Sequence, residues 1–403
     1  MSAPVPSGVD SPLRVTLDVS AVPAAPAGAG RYTLDLAAAL ARRPDVELIM
    51  TTRRDDGPRW HRLVGDGAGG PPGRVLASAP GPRLLRLAWE QARLPSLLRS
   101  VAPDVHHGPH YTMPERARVP VVVTVHDCTF FDHPEWHERS KVLMFRRAIR
   151  VAARRAAAIV CVSRTTADRL ATVCDVRAPV FVAPHGVDHA RFTPVEPTAG
   201  ADESVLASLG LDLGWPLIVF VGTVEPRKNV PALVRAFDRL VPRHPELRLV
   251  IAGRDGWGGD EVEKAVAASE GHRDRVVRTG YVADAAVPAL LRRAAVVAYP
   301  SFEEGYGLPA LEALACGAPL VTTAGTAMAE LAGDAALLVP AGDTEDLAAA
   351  LGSVLDEGPG SSARSQRRER GLAVAAGRTW AASAEAHFAA YRHAAGRPPP
   401  AGR

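Results

Sequence analysis

Ser301-Phe-Glu-Glu-Gly-Tyr-Gly-Leu-Pro-Ala-Leu-Glu-Ala-Leu-Ala-Cys-Gly317 sets Glu304 and Glu312 with seven residues between them, around a turn that holds Gly305 and Gly307. Ahead of it the apolar run Ala294 to Tyr299 reads as a buried strand, and Pro309 has the fixed φ favoured at the first position of a helix. A strand that passes through a glycine turn into a helix is the repeating unit of a doubly wound α/β sheet. Backbone N–H groups at such a helix start have no intrahelical acceptor and sit at the positive end of the helix dipole, which suits a phosphate or an electron-rich sugar. Glu304 stands just ahead of those amides and Glu312 follows about one turn inside. The plainer alternative is a capped surface helix with two solvated glutamates, but a cap needs no double glycine.

Outward from this stretch the same alternation recurs. Leu13 to Ser20, Val119 to Val125 and Ala158 to Val162 read as strands, with helical composition at Thr33 to Ala41, Arg83 to Arg99 and Arg139 to Ala157. Residues Thr193 to Trp215 break the pattern with Pro, Gly, Ala and acidic residues. A second series then follows with strands Leu217 to Val221, Leu247 to Ala252, Val276 to Tyr281, Ala294 to Tyr299 and Pro319 to Thr323. The expectation is an α/β protein of two Rossmann-like doubly wound domains: 1–192, a linker over 193–214, and 215–375. After a Gly/Ser/Arg-rich stretch, Trp380, Ala384, Phe388 and Tyr391 recur at near-helical intervals and predict a C-terminal helix over 376–395. The Pro-rich tail 396–403 reads as disordered.

Composition bounds the possibilities. A chain of 403 residues is too long for one ordinary core. Hydrophobic residues make up 47% of it, yet the longest apolar runs are of strand length, short of the ~20 residues a membrane span needs. No basic and then apolar leader is visible before Pro12, so a cytoplasmic protein is expected. Cys128, Cys161, Cys174 and Cys316 have neither zinc-site spacing nor the density of a disulfide scaffold. Through residue 190, 25 basic residues face 18 acidic ones, a balance of +7 within a total of +3. That asymmetry favours an anionic partner on the N-terminal half, and nucleic acid, anionic lipid and a phosphorylated acceptor all qualify. No helix-turn-helix, zinc-finger or aromatic-rich RNA motif accompanies the charge, which ranks nucleic acid last.

Further motifs fall after strands. Gly222-Thr-Val-Glu-Pro-Arg-Lys-Asn229 follows the strand Leu217 to Val221 and places Arg227 and Lys228 at the start of a helix near Pro231. A planar bidentate guanidinium beside a compact ammonium suits a diphosphate without a metal, although alone the two read as surface cations. Gly28-Ala-Gly-Arg-Tyr-Thr33 lacks the third glycine of the dinucleotide fingerprint and by itself is a flexible loop. No GxxxxGK[ST] loop occurs, so a bound nucleotide is expected to carry a sugar. His126 and Asp127 end a strand and point to the cleft, unless His126 is structural. His106, His107, His110, His133 and His137 cluster, but His133-Pro-Glu-Trp-His137 is not the zincin order and no metal is expected. Arg146, Arg150 and Arg154 repeat every four residues along a basic amphipathic helix, which either docks on anionic membrane or is solvated. Leu84, Leu85, Leu87, Trp89 and Leu94 are acceptor contacts or core.

The stretch around Glu304 resembles the retaining glycosyltransferases of family 4, marked by Glu-Gly-Phe-Gly-Leu-Pro-x-x-Glu, with Tyr306 here in place of Phe. The likeness extends to Gly28–Tyr32, Thr124–Asp127, Pro184–Asp188, Val221–Asn229 and Gly280–Val282, and so to most of the chain. It is nearest to bacterial mannosyltransferases that build surface polysaccharide. The resemblance implies a GT-B fold with nucleotide-sugar held mainly by the C-terminal domain, acceptor chosen mainly by the N-terminal one, and the last helix crossing back to the first domain. It implies that Glu312 holds the ribose, that Arg227 and Lys228 hold the diphosphate, and that Glu304 and His126 position the donor sugar. Gly305, Tyr306, Gly307 and Leu308 would assist through backbone, Gly28 and Gly30 would let the chain approach the diphosphate, and Arg254 and Val282 would border the base. The substrate implied is a nucleotide-sugar, first GDP-mannose, with no cofactor. The acceptor is a saccharide or polyprenyl-diphosphate-linked sugar, with peripheral membrane contact. A sugar-nucleotide epimerase or hydrolase on the same fold, or a non-catalytic nucleotide-sugar-binding protein, are the rival readings.

Overall fold

The computed structural model describes residues 11–397 apart from 65–68, 257–258, 270 and 359. Most of the N-terminal leader stretch and of the C-terminal tail therefore lies outside the described residues. Two parallel sheets organise the chain. The first holds β1 (Leu13–Asp18), β2 (Val46–Arg53), β3 (Arg74–Ala79), β4 (Val105–Gly108), β5 (Val121–Val125), β6 (Ala158–Cys161) and β7 (Val180–Val182), in the order β3-β2-β1-β4-β5-β6-β7. The second holds β8 (Leu217–Val221), β9 (Arg248–Ala252), β10 (Val276–Gly280), β11 (Val296–Tyr299), β12 (Leu320–Thr323) and β13 (Ala336–Val339), in the order β10-β9-β8-β11-β12-β13. Every neighbouring pair runs parallel.

The strand compositions explain why. β5 is Val-Val-Val-Thr-Val and buried throughout, as is β11, because a parallel sheet covered by helices on both faces demands apolar side chains on both. Each fully buried Val, Leu or Ile contributes about 1.5–3 kcal/mol of transfer free energy. In both sheets the order reverses beside the first strand, between β1 and β4 and between β8 and β11. Loops leaving the carboxyl ends at such a reversal diverge and leave a crevice. The motifs around Gly28, His126, Arg227 and Glu304 all leave strands at or next to these two reversals.

Several expectations are revised. The helix expected over Arg83 to Arg99 is two, Arg83–Ala92 and Leu94–Val101, because Pro95 has no N–H to continue the ladder across Arg93. The span 193–214, read as a linker, contains the helix Ala201–Ser208. Its Leu206 joins the C-terminal core with Leu211, and Asp202 holds Arg292 at 2.6 and 2.9 Å. A helix not foreseen, Ser362–Ala376, packs on the Leu308–Ala315 helix. The last helix, Trp380–Ala394, buries Ala384, Phe388 and Tyr391 in the core of the N-terminal sheet.

Candidate functional site

A cleft of about 640 Å³ lies between the sheets, lined from both domains. From the N-terminal side come Gly28, Arg31, Tyr111, His126, Asp127, His185 and Arg191. From the C-terminal side come Arg227, Lys228, Arg254, Val282, Glu304, Gly305, Tyr306, Gly307, Leu308 and Glu312. Of the residues expected to hold or position the nucleotide-sugar, all line it except Gly30. Gly30 sits inside the Ala29–Ala41 helix, where a Cβ would press on Pro23 and Pro26 at 3.2 and 3.3 Å, so its smallness admits the proline loop rather than a ligand. Gly28 caps that helix at φ +49°, a conformation glycine adopts without strain.

The centre of the cleft is an ion triad. After β8 the chain turns through Pro226–Lys228 in a short 3₁₀ turn, and Asn229 at φ +51° releases it into the Val230–Leu240 helix. That turn aims both cations at the segment after β11. Arg227 Nη1 lies 2.6 Å from Glu304 Oε2, Lys228 Nζ pairs with Glu304 Oε1, and Arg227 Nε donates to Glu225 Oε2 at 3.0 Å. Burial opposes ionisation of Glu304, but Arg227 and Lys228 outweigh it and hold its carboxyl at about 2. Burial also lowers the Lys228 ammonium, with Glu304 opposing and Arg227 adding to the shift. Arg227 is raised because Glu304 and Glu225 overcome its own burial.

Gly307, at φ +96°, caps the Leu308–Ala315 helix, with Pro309 at the second rather than the first helical position. A Cβ on Gly307 would collide with Met328. Pro309 has no N–H and the Ala310 amide donates to Gly307 O at 3.0 Å, so the amides without an acceptor in this helix are those of Gly307 and Leu308. Glu312, inside it, is pushed up to about 7 by burial, with Arg191 and Arg31 opposing and Asp35 and Asp284 adding. At the far end Arg254 lies 4.6 Å over the Tyr281 ring beside Val282.

The domains touch across the cleft. Ser163 and Thr166 hydroxyls donate to Gly305 O at 2.7 and 3.1 Å, Tyr306 OH donates to His185 O at 2.7 Å, and Glu330 accepts from the amides of Arg164 and Thr165. His126 Nε2 donates to Pro109 O at 2.8 Å, which puts its proton on Nε2 and leaves Nδ1 as an acceptor. Burial lowers its pKa, so the ring is neutral. Arg31 pairs with Asp284, and Arg191 donates to Asp284 O at 2.6 Å. Neither Arg191 nor Asp284 was singled out in the sequence. Arg31 had a legible signal, a cation directly after the Gly28 turn, but Asp284 had none.

Of the other histidines, His110 packs beside His126, ring centroids 5.7 Å apart, and His137 lies against Phe130 at 4.2 Å. His106 and His107 are buried in β4, bonded to Thr16 and Thr124, and burial lowers both. His133 stacks on Trp136 outside the cleft. Among the described residues no group of three or more His, Cys, Asp or Glu is placed to hold a metal ion. Each arginine of the stripe has a partner within the chain, but only Arg146 is partly buried: it donates to Phe130 O at 2.6 Å, whereas the exposed Arg150 lies 5.1 Å over the Phe131 ring and the exposed Arg154 faces Asp175 at 3.4 Å. Among the described residues no helix is long and apolar enough to cross a membrane.

Residues 203–371 match the family described as Glycosyl transferases group 1, and residues 26–191 match Glycosyltransferase Family 4. The chain is 30% identical over 364 residues to the O-antigen chain mannosyltransferase B of Escherichia coli, spanning 88% of this chain and 92% of that one. It is 38% identical over 245 residues to the D-inositol 3-phosphate glycosyltransferase of Corynebacterium jeikeium, 58% of this chain and 54% of that protein, so the match spans about half of that relative. Its fold superimposes on Anabaena HepE, solved in complex with UDP and glucose, with a TM-score of 0.71 at 20% identity over 94% of this chain and 98% of that one. The chain belongs to the family 4, group 1 glycosyltransferases and has their two-domain GT-B architecture.

Proposed function

We propose, from its membership of these glycosyltransferases, that the chain moves a hexose from a nucleotide-sugar to a hydroxyl of a saccharide or lipid-linked acceptor, with retention at the anomeric carbon and without a metal. The observation that carries this reading is that the Arg227–Lys228–Glu304 triad and the N-terminus of the Leu308–Ala315 helix line the same cleft. A buried lysine, a partly buried arginine and the helix-start amides of Gly307 and Leu308, all from residues lining one cleft, suit the charge that grows on a departing nucleoside diphosphate. In this reading the acceptor oxygen bonds to the anomeric carbon as its bond to the phosphate oxygen breaks. The hydroxyl proton passes to that phosphate oxygen on the same face, so no separate base is needed. Neutral His126 offers Nδ1 to a donor-sugar hydroxyl, Glu304 holds the two cations in register, and Glu312 accepts from the ribose hydroxyls. Arg254, Tyr281 and Val282 border the base.

Mannose from GDP-mannose is the donor we favour, supported by the identity to an O-antigen chain mannosyltransferase. Thermal unfolding with GDP-, UDP-, ADP- and TDP-sugars tests it, since a ligand at ~100 times its dissociation constant stabilises by about 2.7 kcal/mol. A selective response to GDP-mannose supports the donor, a response to another nucleotide replaces it, and no response at all overturns the reading. NMR of the product's anomeric proton tests retention, and turnover in chelator tests independence of metal. For a lipid-linked acceptor, the supporting observation is the exposure of Leu84, Leu85 and Leu143 at 80%, 59% and 73%. The helices that carry them meet where Arg83 lies 6.0 Å from the Phe145 ring.

A further inference from the structure

Beside the main cleft a second cavity of about 450 Å³ is walled by Trp136, His137, Glu138 and Lys141 of the N-terminal domain and by Glu225 and Arg227 of the C-terminal domain. We propose that this cavity is the acceptor subsite and takes a neutral, polyhydroxylated sugar. The inference rests on the transferase reading of the main cleft.

Position is the first argument. Glu225 and Arg227 line both cavities, whereas Arg254, Tyr281 and Val282 line only the first. The second cavity therefore adjoins the first at Glu225 and Arg227, the arginine that holds Glu304, with Pro226 and Gly256 completing its wall. An acceptor hydroxyl has to arrive beside Arg227, because the bond to be broken adjoins the diphosphate. The volume lies within the ~300–1,000 Å³ of small-ligand sites.

The wall chemistry is the second argument. Trp136 is stacked with His133, centroids 3.8 Å apart and planes 12° from parallel, and Phe302 of the other domain lies 5.9 Å away at 23°. His133 covers one face of Trp136, so what Trp136 and His137 offer the cavity is the aromatic surface beside that stack, on which the polarised C–H groups of a pyranose pack. Charge is the third argument. Lys141 pairs with Glu138 at 2.6 Å, and Arg227 pairs with Glu225 at 3.0 Å and Glu304 at 2.6 Å. Each cation in the wall has a carboxylate, so the cavity is balanced in charge and alternates donors with acceptors. Hydroxyl groups, which both donate and accept, match that pattern better than an anion does.

Saturation-transfer NMR on the full chain tests the assignment, with the methyl α-glycosides of mannose, glucose and galactose as probes and GDP or UDP present. At least one glycoside is expected to respond in the wild type, to lose fivefold or more of its signal in Trp136→Ala, and to keep it in Trp136→Phe. The thermal shift given by nucleotide is expected to be the same in all three proteins. If Trp136→Ala does not fold, as judged by circular dichroism, Glu138→Ala replaces it, and the same loss is expected because a hydroxyl acceptor is gone. An intact nucleotide shift with no glycoside signal in the wild type overturns this assignment alone, as does equal signal in the alanine variant. A wild type with no nucleotide shift overturns the transferase reading, and this assignment with it.

Discussion

Gly305 of the C-terminal domain is packed against the backbone of His126 in the N-terminal domain so closely that a Cβ on Gly305 would overlap the His126 carbonyl oxygen. The same glycine's own carbonyl accepts from Ser163 and Thr166. A single residue without a side chain thus brings the loops after β5 and β11 into register. Gly305→Ala is expected to cost about 1–3 kcal/mol through overpacking and to lower kcat/KM by far more than stability explains. Denaturant unfolding and steady-state kinetics on the same variant separate the two effects. Wild-type kinetics would show that this contact does not shape the cleft.

The shared carboxylate of Glu304 divides the roles of its two cations. Glu304→Ala leaves Lys228 buried without its carboxylate, while Arg227 keeps Glu225, and is expected to destabilise the protein by about 3–5 kcal/mol. Lys228→Ala leaves Arg227 on Glu304, so it is expected to cost less stability while lowering kcat/KM on the order of a hundredfold. Because the Glu304 carboxyl stands at about 2, below its ordinary 4.5, its contribution to stability is full above pH 4.5 and is lost as pH falls through 2. Acid unfolding of Glu304→Gln is expected to lack that component. Near-wild-type turnover in Lys228→Ala would remove it from the site.

Glu312 carries the opposite shift. Its folded value of about 7 lies above the ordinary 4.5, so ionising it costs stability as pH rises from 4.5 through 7. If the carboxylate receives the ribose hydroxyls, nucleotide affinity should rise as pH goes from 6 to 8, and Glu312→Gln should flatten that rise. Titration calorimetry at several pH values provides the measurement, and a flat wild-type profile would count against the ribose contact.

Vesicle binding separates two surfaces. Because Arg146, Arg150 and Arg154 each already have a partner within the chain, the last two at the exposed surface, changing them to Gln is expected to leave co-sedimentation with anionic vesicles largely intact. Leu84→Ser, Leu85→Ser and Leu143→Ser together are expected to reduce it several-fold, since each removes ~1.5–3 kcal/mol of apolar burial. The reverse result would return the contact to the arginine helix.

The sequence by itself determined the architecture and the local pieces of the cleft. Strand, glycine turn and helix are contiguous from Ala294 to Gly317, and Arg227 with Lys228 sits in the turn after β8, so their patterning is written within a few residues. Strands β2, β3, β4, β7 and β13 were not read from the sequence, β4 because Val-His-His-Gly lacks an apolar run. Its histidines are tolerated in the core by partners on other strands, Thr16 and Thr124, and by Tyr391 of the last helix. Only the tertiary structure decided that Glu304 pairs with a lysine 76 residues away, that Arg31 and Arg191 both turn to Asp284, and that Gly30 packs on prolines while Gly305 meets His126. The physical reason is range. Periodicity and turn chemistry act over a few residues, whereas a buried ion pair or a Cβ-free contact is set by how two domains pack, which no local spacing encodes.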